Sequence, residues 1–279
     1  MKLQFEHHQR PYHCRTEAAR SIAIELDFTG PQPSHFGAPV ATSVPLQAGG
    51  FVGDTNAGGS CNVDSVTLVP HCNGTHTETV GHIVSTDVWV GRAAVVDALM
   101  LGVIVTVEAV FAPQTTECYR PPLAPTDQVI TAVALERALK EFMAARPTAL
   151  IVRTRPNPIE KRARVYSVEN VPPFFTIEAI EYINRLGLKH LLVDIPSIDR
   201  MYDEGKLTNH HLFWQVAEET QQLTEESDVE KTITEMIFVE TEIADGLVLL
   251  NLQIPSFRSD AAPSRPIIWP IDNSLTVEK

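Results

Sequence analysis

Residues 70–83, PHCNGTHTETVGHI, place three histidines, one cysteine and one glutamate within fourteen positions. On an extended strand alternate side chains share a face, so Cys72, His76, Glu78 and His82 are expected to point one way and His71 the other. A thiolate, imidazoles and a carboxylate on one face suit a divalent transition metal, and the sulfur biases the choice toward zinc. Gly74 removes a side chain where one would crowd such an ion. The same spacing also fits a polar strand that is merely rich in histidine. Among other motifs, the chain has no GxSxG elbow, no phosphate-binding Walker loop, no HExxH and no glycine-rich dinucleotide fingerprint.

The elements that must position this cluster alternate between strand and helix patterns. SIAIELDF from Ser21 reads as a strand, followed from Gly30 to about Ala57 by a stretch too rich in glycine, proline and serine for regular elements. VDSVTLVPHCNGTHTE is extended, with β-branched Val63, Val66, Thr67 and Val69, so the cluster is expected on a strand. TDQVITAVALERALKEFMAARP predicts a helix capped at Thr126 or Asp127 and ending before Pro147. ALIVRT (149–154) predicts a buried strand, TIEAIEYINRLG a helix capped at Thr176 and stopped at Gly187, and HLLVDI (190–195) the next strand. NHHLFWQVAEETQQLTEESDVEK predicts a helix running into an acidic, solvated face at Glu218 to Glu230, before strands at TEMIFVET and LVLLNLQIP. The alternation implies a mixed α/β core.

With 279 residues, 44% of them hydrophobic, the chain can bury a substantial core. We expect a flexible, histidine-rich N-terminal arm over 1–20, carrying His7, His8 and His13, and a single domain over 21–279. A formal charge of −13 repels nucleic acid and anionic lipid, so neither is an expected partner. Four widely spaced cysteines (Cys14, Cys61, Cys72, Cys118) and a polar N-terminus suggest a reducing, cytoplasmic setting. The apolar run Ala93 to Ala112 is interrupted by Asp97, Gly102 and Glu108 and reads as core rather than a membrane span.

CNGTHTETVGH, from Cys72 to His82, resembles the H-x-G-T-H-x-D-x-x-x-H signature of the cyclase family of metal-dependent hydrolases, which includes bacterial kynurenine formamidases and isatin hydrolase. Further ordered matches accompany it: FVGDT (51–55), LLVDIPSID (191–199), NHHLFW (209–214) and SDAAPSRPII (259–268). The resemblance implies a swivelling β/β/α fold with mixed sheets and flanking helices. It also implies one metal among Cys72, His76 and Glu78, and a second, where present, held by Glu78, His210 and Glu235. Zn²⁺ is the expected ion, as one or two per chain, with Mn²⁺ the alternative. Two positions depart from the family pattern: Cys72 stands for its first histidine and Glu78 for its aspartate. Either Cys72 is a ligand or His71 takes that place through a local bulge. His82 is the candidate for proton transfer to a leaving amine.

The activity implied is hydrolysis of an aryl amide, with N-formyl-L-kynurenine giving formate and L-kynurenine. The alternatives are opening of a cyclic amide of the isatin type, a lyase-type cyclase or dehydratase, and a relative that binds metal without catalysis. Phe174, Phe175, Phe213 and Trp214 are candidates for an aromatic substrate wall or for plain core. Family resemblance further implies a homodimer or higher homo-oligomer.

Overall fold

The computed structural model describes residues 1–93 and 98–272. Its centre is a nine-stranded mixed sheet, and the strands are ordered along it as Ala261–Pro263, His76–Glu78, Thr232–Glu235, His190–Val193, Ala149–Arg155, Leu99–Glu108, Gly246–Asn251, Ile267–Pro270 and Arg20–Ser21. The Ala149–Arg155 strand runs parallel to both of its neighbours, and His190–Val193 runs parallel to Thr232–Glu235. The outer pairings on both sides are antiparallel.

The central strands are covered on both faces, which is why LMLGVIVTVE and ALIVRT read as continuous apolar runs. Alternate residues go to opposite sides. Val103, Val105, Leu150 and Val152 meet helices α1 (Ala132–Leu139) and α2 (Ile177–Arg185) through Leu135, Leu139, Ile180 and Ile183. Met100, Ile104, Ala149 and Ile151 face the other way, toward Ile22, Val248, Leu250 and Ile268. Gly102 keeps the sheet centre uncrowded, since a Cβ there would lie 3.3 Å from Val248 and 3.6 Å from Ala149. Of the Ala93 to Ala112 run, residues 94–97, including Asp97, lie outside the described residues, and no described helix is long and apolar enough to cross a membrane.

Several elements differ from expectation. The 126–146 helix is shorter, because Gln128–Ile130 is a strand and Thr131, whose hydroxyl accepts from the Ala134 amide at 3.2 Å, is the actual cap. Helix α2 has the expected cap, Thr176, accepting from Ala179 at 3.1 Å, and ends at Gly187 with φ of 69°. The helix expected from Asn209 is a single short element, α3 (Thr208–Phe213), after which the chain is irregular. Residues 1–20, expected as a flexible arm, include a β-hairpin of Lys2–His7 with Arg10–Arg15, anchored by buried Cys14 bridging to Ile271. The breaker-rich 30–57 stretch still forms short strands, Thr42–Pro45, Gln47–Ala48 and Phe51–Val52.

Candidate metal centre

The His76–Glu78 strand is wholly buried and antiparallel to Thr232–Glu235, with Glu235 directly opposite His76. Residues two apart on one strand share a face, so this register gathers His76, Glu78 and Glu235 on one side of the sheet. His210 comes from α3. Its Nδ1 lies 2.5 Å from Asp199 Oδ2 and its Nε2 3.0 Å from Glu78 Oε1. Asp199 also accepts from the amides of Asn209 and His210, at 2.8 and 3.1 Å, and from the Tyr119 hydroxyl at 2.6 Å, so one carboxylate fixes both the start of α3 and the ring it carries.

His71 and His82 approach from either end of the strand. Residues flanking it are not extended: 70–74 turn, and Val80–His82 is a 3₁₀ segment capped by Thr79. These turns bring His71 Nδ1 to 3.0 Å from Glu78 Oε2 and stack the His71 and His82 rings with centroids 4.2 Å apart. Asp260 completes this side, 2.8 Å from His71 Nε2 and 3.4 Å from His82 Nδ1. Among the described residues two groups with metal-ligand spacing result, His71 with Glu78 and His82, and His76 with Glu78 and Glu235, and Glu78 is common to both.

Whether a cation fits can be tested on His76. Its Nδ1 lies 2.9 Å from the carbonyl of Gly74, which can only accept, so Nδ1 bears the proton and Nε2 offers a lone pair. Nε2 is buried without a hydrogen-bond partner and faces Glu235 Oε2 at 3.4 Å. Two buried acceptors facing each other repel unless a cation lies between them. Glu78 Oε2 is likewise buried and lacks an aligned hydrogen bond. Imidazole and carboxylate donors around these atoms fit a divalent ion of the zinc or manganese type.

Charges reinforce the arrangement. Burial pushes the Glu78 carboxyl up, but the positive charge available at His82 and His210 wins and holds it well below its usual range. Burial pushes His210 down, yet Glu78 and Asp199 raise it well above the ordinary histidine value. His71 follows the same balance: burial lowers it, and the carboxylates of Asp260 and Glu78, which accept from its ring, raise it to about 10. An ion using these rings must displace their protons.

His76, Glu78 and Glu235 are therefore brought together with His82, His210 joins them through Glu78 and Glu235 at 3.0 and 3.9 Å without being in either group, and Cys72 is in neither group. Cys72 is buried, and its thiol is pushed up by burial and then by the charge of Glu235, so it lies near the centre without entering it. His71, the alternative, is the ring that meets Glu78, and it arrives through a turn rather than a bulge. Asp199 and Asp260 stand within motifs visible in the sequence, but their spacing from the histidines gave no sign of contact. Phe174, Phe175, Phe213 and Trp214 are at most 1% exposed and belong to the core, not to a substrate wall.

Beside His82 a cavity of about 420 Å³ opens between residues 204–207 and 218–221. His211, the neighbour of His210 on α3, lines it.

The sequence profile of the Cyclase family, described as "Putative cyclase", matches residues 7–200. Among solved structures, the chain is similar to an isatin hydrolase bound to the product analogue thioisatinate, with 14% identity and a TM-score of 0.61 over 91% of this chain and 92% of that one. It is similar to isatin hydrolase A from Labrenzia aggregata bound to benzyl benzoate, with 14% identity and a TM-score of 0.59 over 92% and 96%. A potential metal-dependent hydrolase with cyclase activity matches at 13% identity and a TM-score of 0.55 over 91% and 98%. At such identities the likeness establishes the fold. A search of curated protein sequences finds no match.

Proposed function

The chain belongs to the cyclase family, and from that premise we propose that it hydrolyses an amide carbon–nitrogen bond using a divalent metal held by His76, Glu78, Glu235 and His210, with His71 in place of Cys72. The observation that carries this reading is the buried Nε2 of His76, an acceptor aimed at Glu235 with nothing of its own to bind. When bound, zinc or a similar ion supplies Lewis acidity, lowering the pKa of a water from ~15.7 to roughly 7 and polarising a carbonyl.

The chain's own groups do the rest. Asp199 locks the His210 ring through Nδ1, so Nε2 can face the ion. Glu78 reaches His210 with one oxygen and His71 with the other, placing it between two ligand groups. Asp260 faces His82 at Nδ1, which leaves Nε2 to deliver a proton to the departing nitrogen. The ring of His82 also lines the cavity, so the departing half of the substrate has space beside the proton donor.

For the substrate we propose an aryl formamide, N-formyl-L-kynurenine plus water giving formate and L-kynurenine. The second reading, opening of a cyclic aryl amide, draws support from the solved isatin hydrolases that share the fold. Both reactions need the same water, oxyanion and proton transfer, so one set of assays separates them. Purified protein is expected to release formate from N-formyl-L-kynurenine, or to open isatin, only when loaded with Zn²⁺ or Mn²⁺. Absence of both activities from fully metallated protein overturns the hydrolase reading. We further propose that the chain acts as a homodimer or higher homo-oligomer.

A further inference from the structure

The cavity beside His82 has a chemistry of its own, carried by a segment whose acidic residues read in the sequence as a solvated face. Glu218 and the largely exposed Glu219 edge, with Glu204, Lys206, His82 and His211, the cavity of about 420 Å³. The wall they form is fixed at both ends. Ser85 donates from its amide to the Gln221 carbonyl and from its hydroxyl to Oε1 of Gln221, both at 3.0 Å. At the other end Arg120 Nη2 lies 2.7 Å from Glu218 Oε1.

We infer that this cavity receives the departing half of the substrate and selects a cationic, amine-bearing group, an inference that rests on the hydrolase reading above. The first observation is a surplus of hydrogen-bond acceptors. His211 is only 8% exposed, and its Nδ1 lies 3.2 Å from the Val216 carbonyl. That carbonyl can only accept, so Nδ1 carries the proton and Nε2 is left as an acceptor, without a partner among the described residues, in a ring that lines the cavity. Three carboxylates, Glu204, Glu218 and Glu219, add to it.

The second observation is that the nearest backbone amides are already used. Backbone amides of residues 205–207 line the same space, but Asp203 consumes all three: Gly205 and Leu207 donate to its carboxylate at 2.9 and 2.6 Å, and Lys206 to its carbonyl at 3.2 Å. The ammonium of Lys206 is drawn to Glu219 at 3.7 Å. A ligand entering this space meets acceptors and negative charge, so a protonated amine is matched there and a carboxylate with no ammonium beside it is disfavoured. The net charge of −13 works in the same direction at long range.

The test uses the full chain and two probes of one size, benzylamine and benzoate, followed through the imidazole ¹H–¹⁵N signals of His211. His211→Asn identifies those signals by their loss and retains a donor to Val216. Benzylamine is expected to shift the His211 signals and benzoate to leave them in place. Glu204→Gln and Glu219→Gln, at exposed positions that do not threaten folding, are each expected to weaken benzylamine about two- to five-fold. Benzoate acting as strongly as benzylamine, benzylamine binding insensitive to both substitutions, or shifts confined to other histidines would each overturn the inference. Turnover of formanilides carrying an aminomethyl or a carboxylate substituent forms the second arm, with the aminomethyl compound expected to be preferred. If metallated protein leaves these compounds, N-formyl-L-kynurenine and isatin all intact while benzylamine still acts at His211, the hydrolase reading falls and the preference of the cavity stands.

Discussion

At the scale of single residues, the centre is organised by carboxylates that hold histidine rings rather than by the rings alone. Asp199 is the clearest case, since it fixes His210 at Nδ1 and the first amides of α3 together. Asp199→Asn keeps an acceptor for the amides but weakens the hold on the ring, so metal affinity is expected to fall about 10- to 100-fold, read by competition with a chelator. Asp260 plays the corresponding part for His71 and His82. Asp260→Asn is expected to weaken metal through His71 and, at saturating metal, still to lower kcat by about 100-fold, with the proton-transfer limb of the pH profile displaced. A loss of metal equal to the loss of turnover would instead assign Asp260 to the ligand set. His76 and Glu78 were legible because strand alternation and the family signature pointed to them independently, whereas His210 and Glu235 rested on the resemblance alone. Cys72 was not separable from His71, because choosing between adjacent residues requires knowing where the strand starts. It starts at His76, and the turn before it carries the His71 ring to Glu78 while Cys72 is buried beside it.

At the scale of elements, the centre depends on close approach between segments that are distant in sequence. Val90 and Gly91 donate their amides to Ser259 and Phe257, at 2.8 and 3.0 Å, and so hold the strand end that carries Asp260. A Cβ at Gly91 would lie 2.6 Å from the Phe257 carbonyl oxygen and 2.7 Å from its nitrogen, atoms that cannot move aside alone. Gly91→Ala is therefore expected to cost about 1–3 kcal/mol in urea unfolding and to depress activity further by displacing Asp260. The segment around His35 supplies a second case. Its ring is 1% exposed, neither ring nitrogen has a hydrogen bond, and burial followed by the proximity of His76 pushes its pKa down to about 4. Because the folded value lies below the unfolded 6.5, the unfolded chain takes up a proton the native one refuses, and stability is lost as pH falls from 6.5 toward 4. That contribution is about 3 kcal/mol. His35→Leu is expected to flatten the stability profile over this window without loss at pH 7, since no hydrogen bond is removed. A profile as steep as that of the parent would place the titration elsewhere.

At the scale of the whole molecule, the α/β alternation and the doubly covered central strands were readable because buried strands and capped helices carry strong local signals. The order of the sheet was not, since His76–Glu78 pairs with Thr232–Glu235 and Ala261–Pro263 across more than 150 positions, and nothing local encodes that choice. The 30–57 stretch was misread for a related reason: its strands are paired but hardly buried, so no hydrophobic period marks them. Thr42–Pro45 and Asp64–Thr67 pair as a hairpin with Val44 55% and Val66 51% exposed. An isolated hairpin with apolar side chains in water is marginal. Between Val40 and Val69 the only charged residues are Asp54 and Asp64, in a chain that is 20% charged and carries −13 overall. Two such acidic molecules repel each other almost everywhere except across a surface of this kind, and depletion of charge is what the centre of a protein–protein contact requires. The expected self-association is therefore argued to run through this hairpin. Val44→Glu with Val66→Glu would set four unpaired carboxylates into a two-fold contact and is expected to weaken association at least about 10-fold in sedimentation velocity, with the far-ultraviolet spectrum unchanged. An oligomer that persists undiminished in the double variant places the contact on another face, and a parent that sediments as a monomer at tens of micromolar removes the need for one.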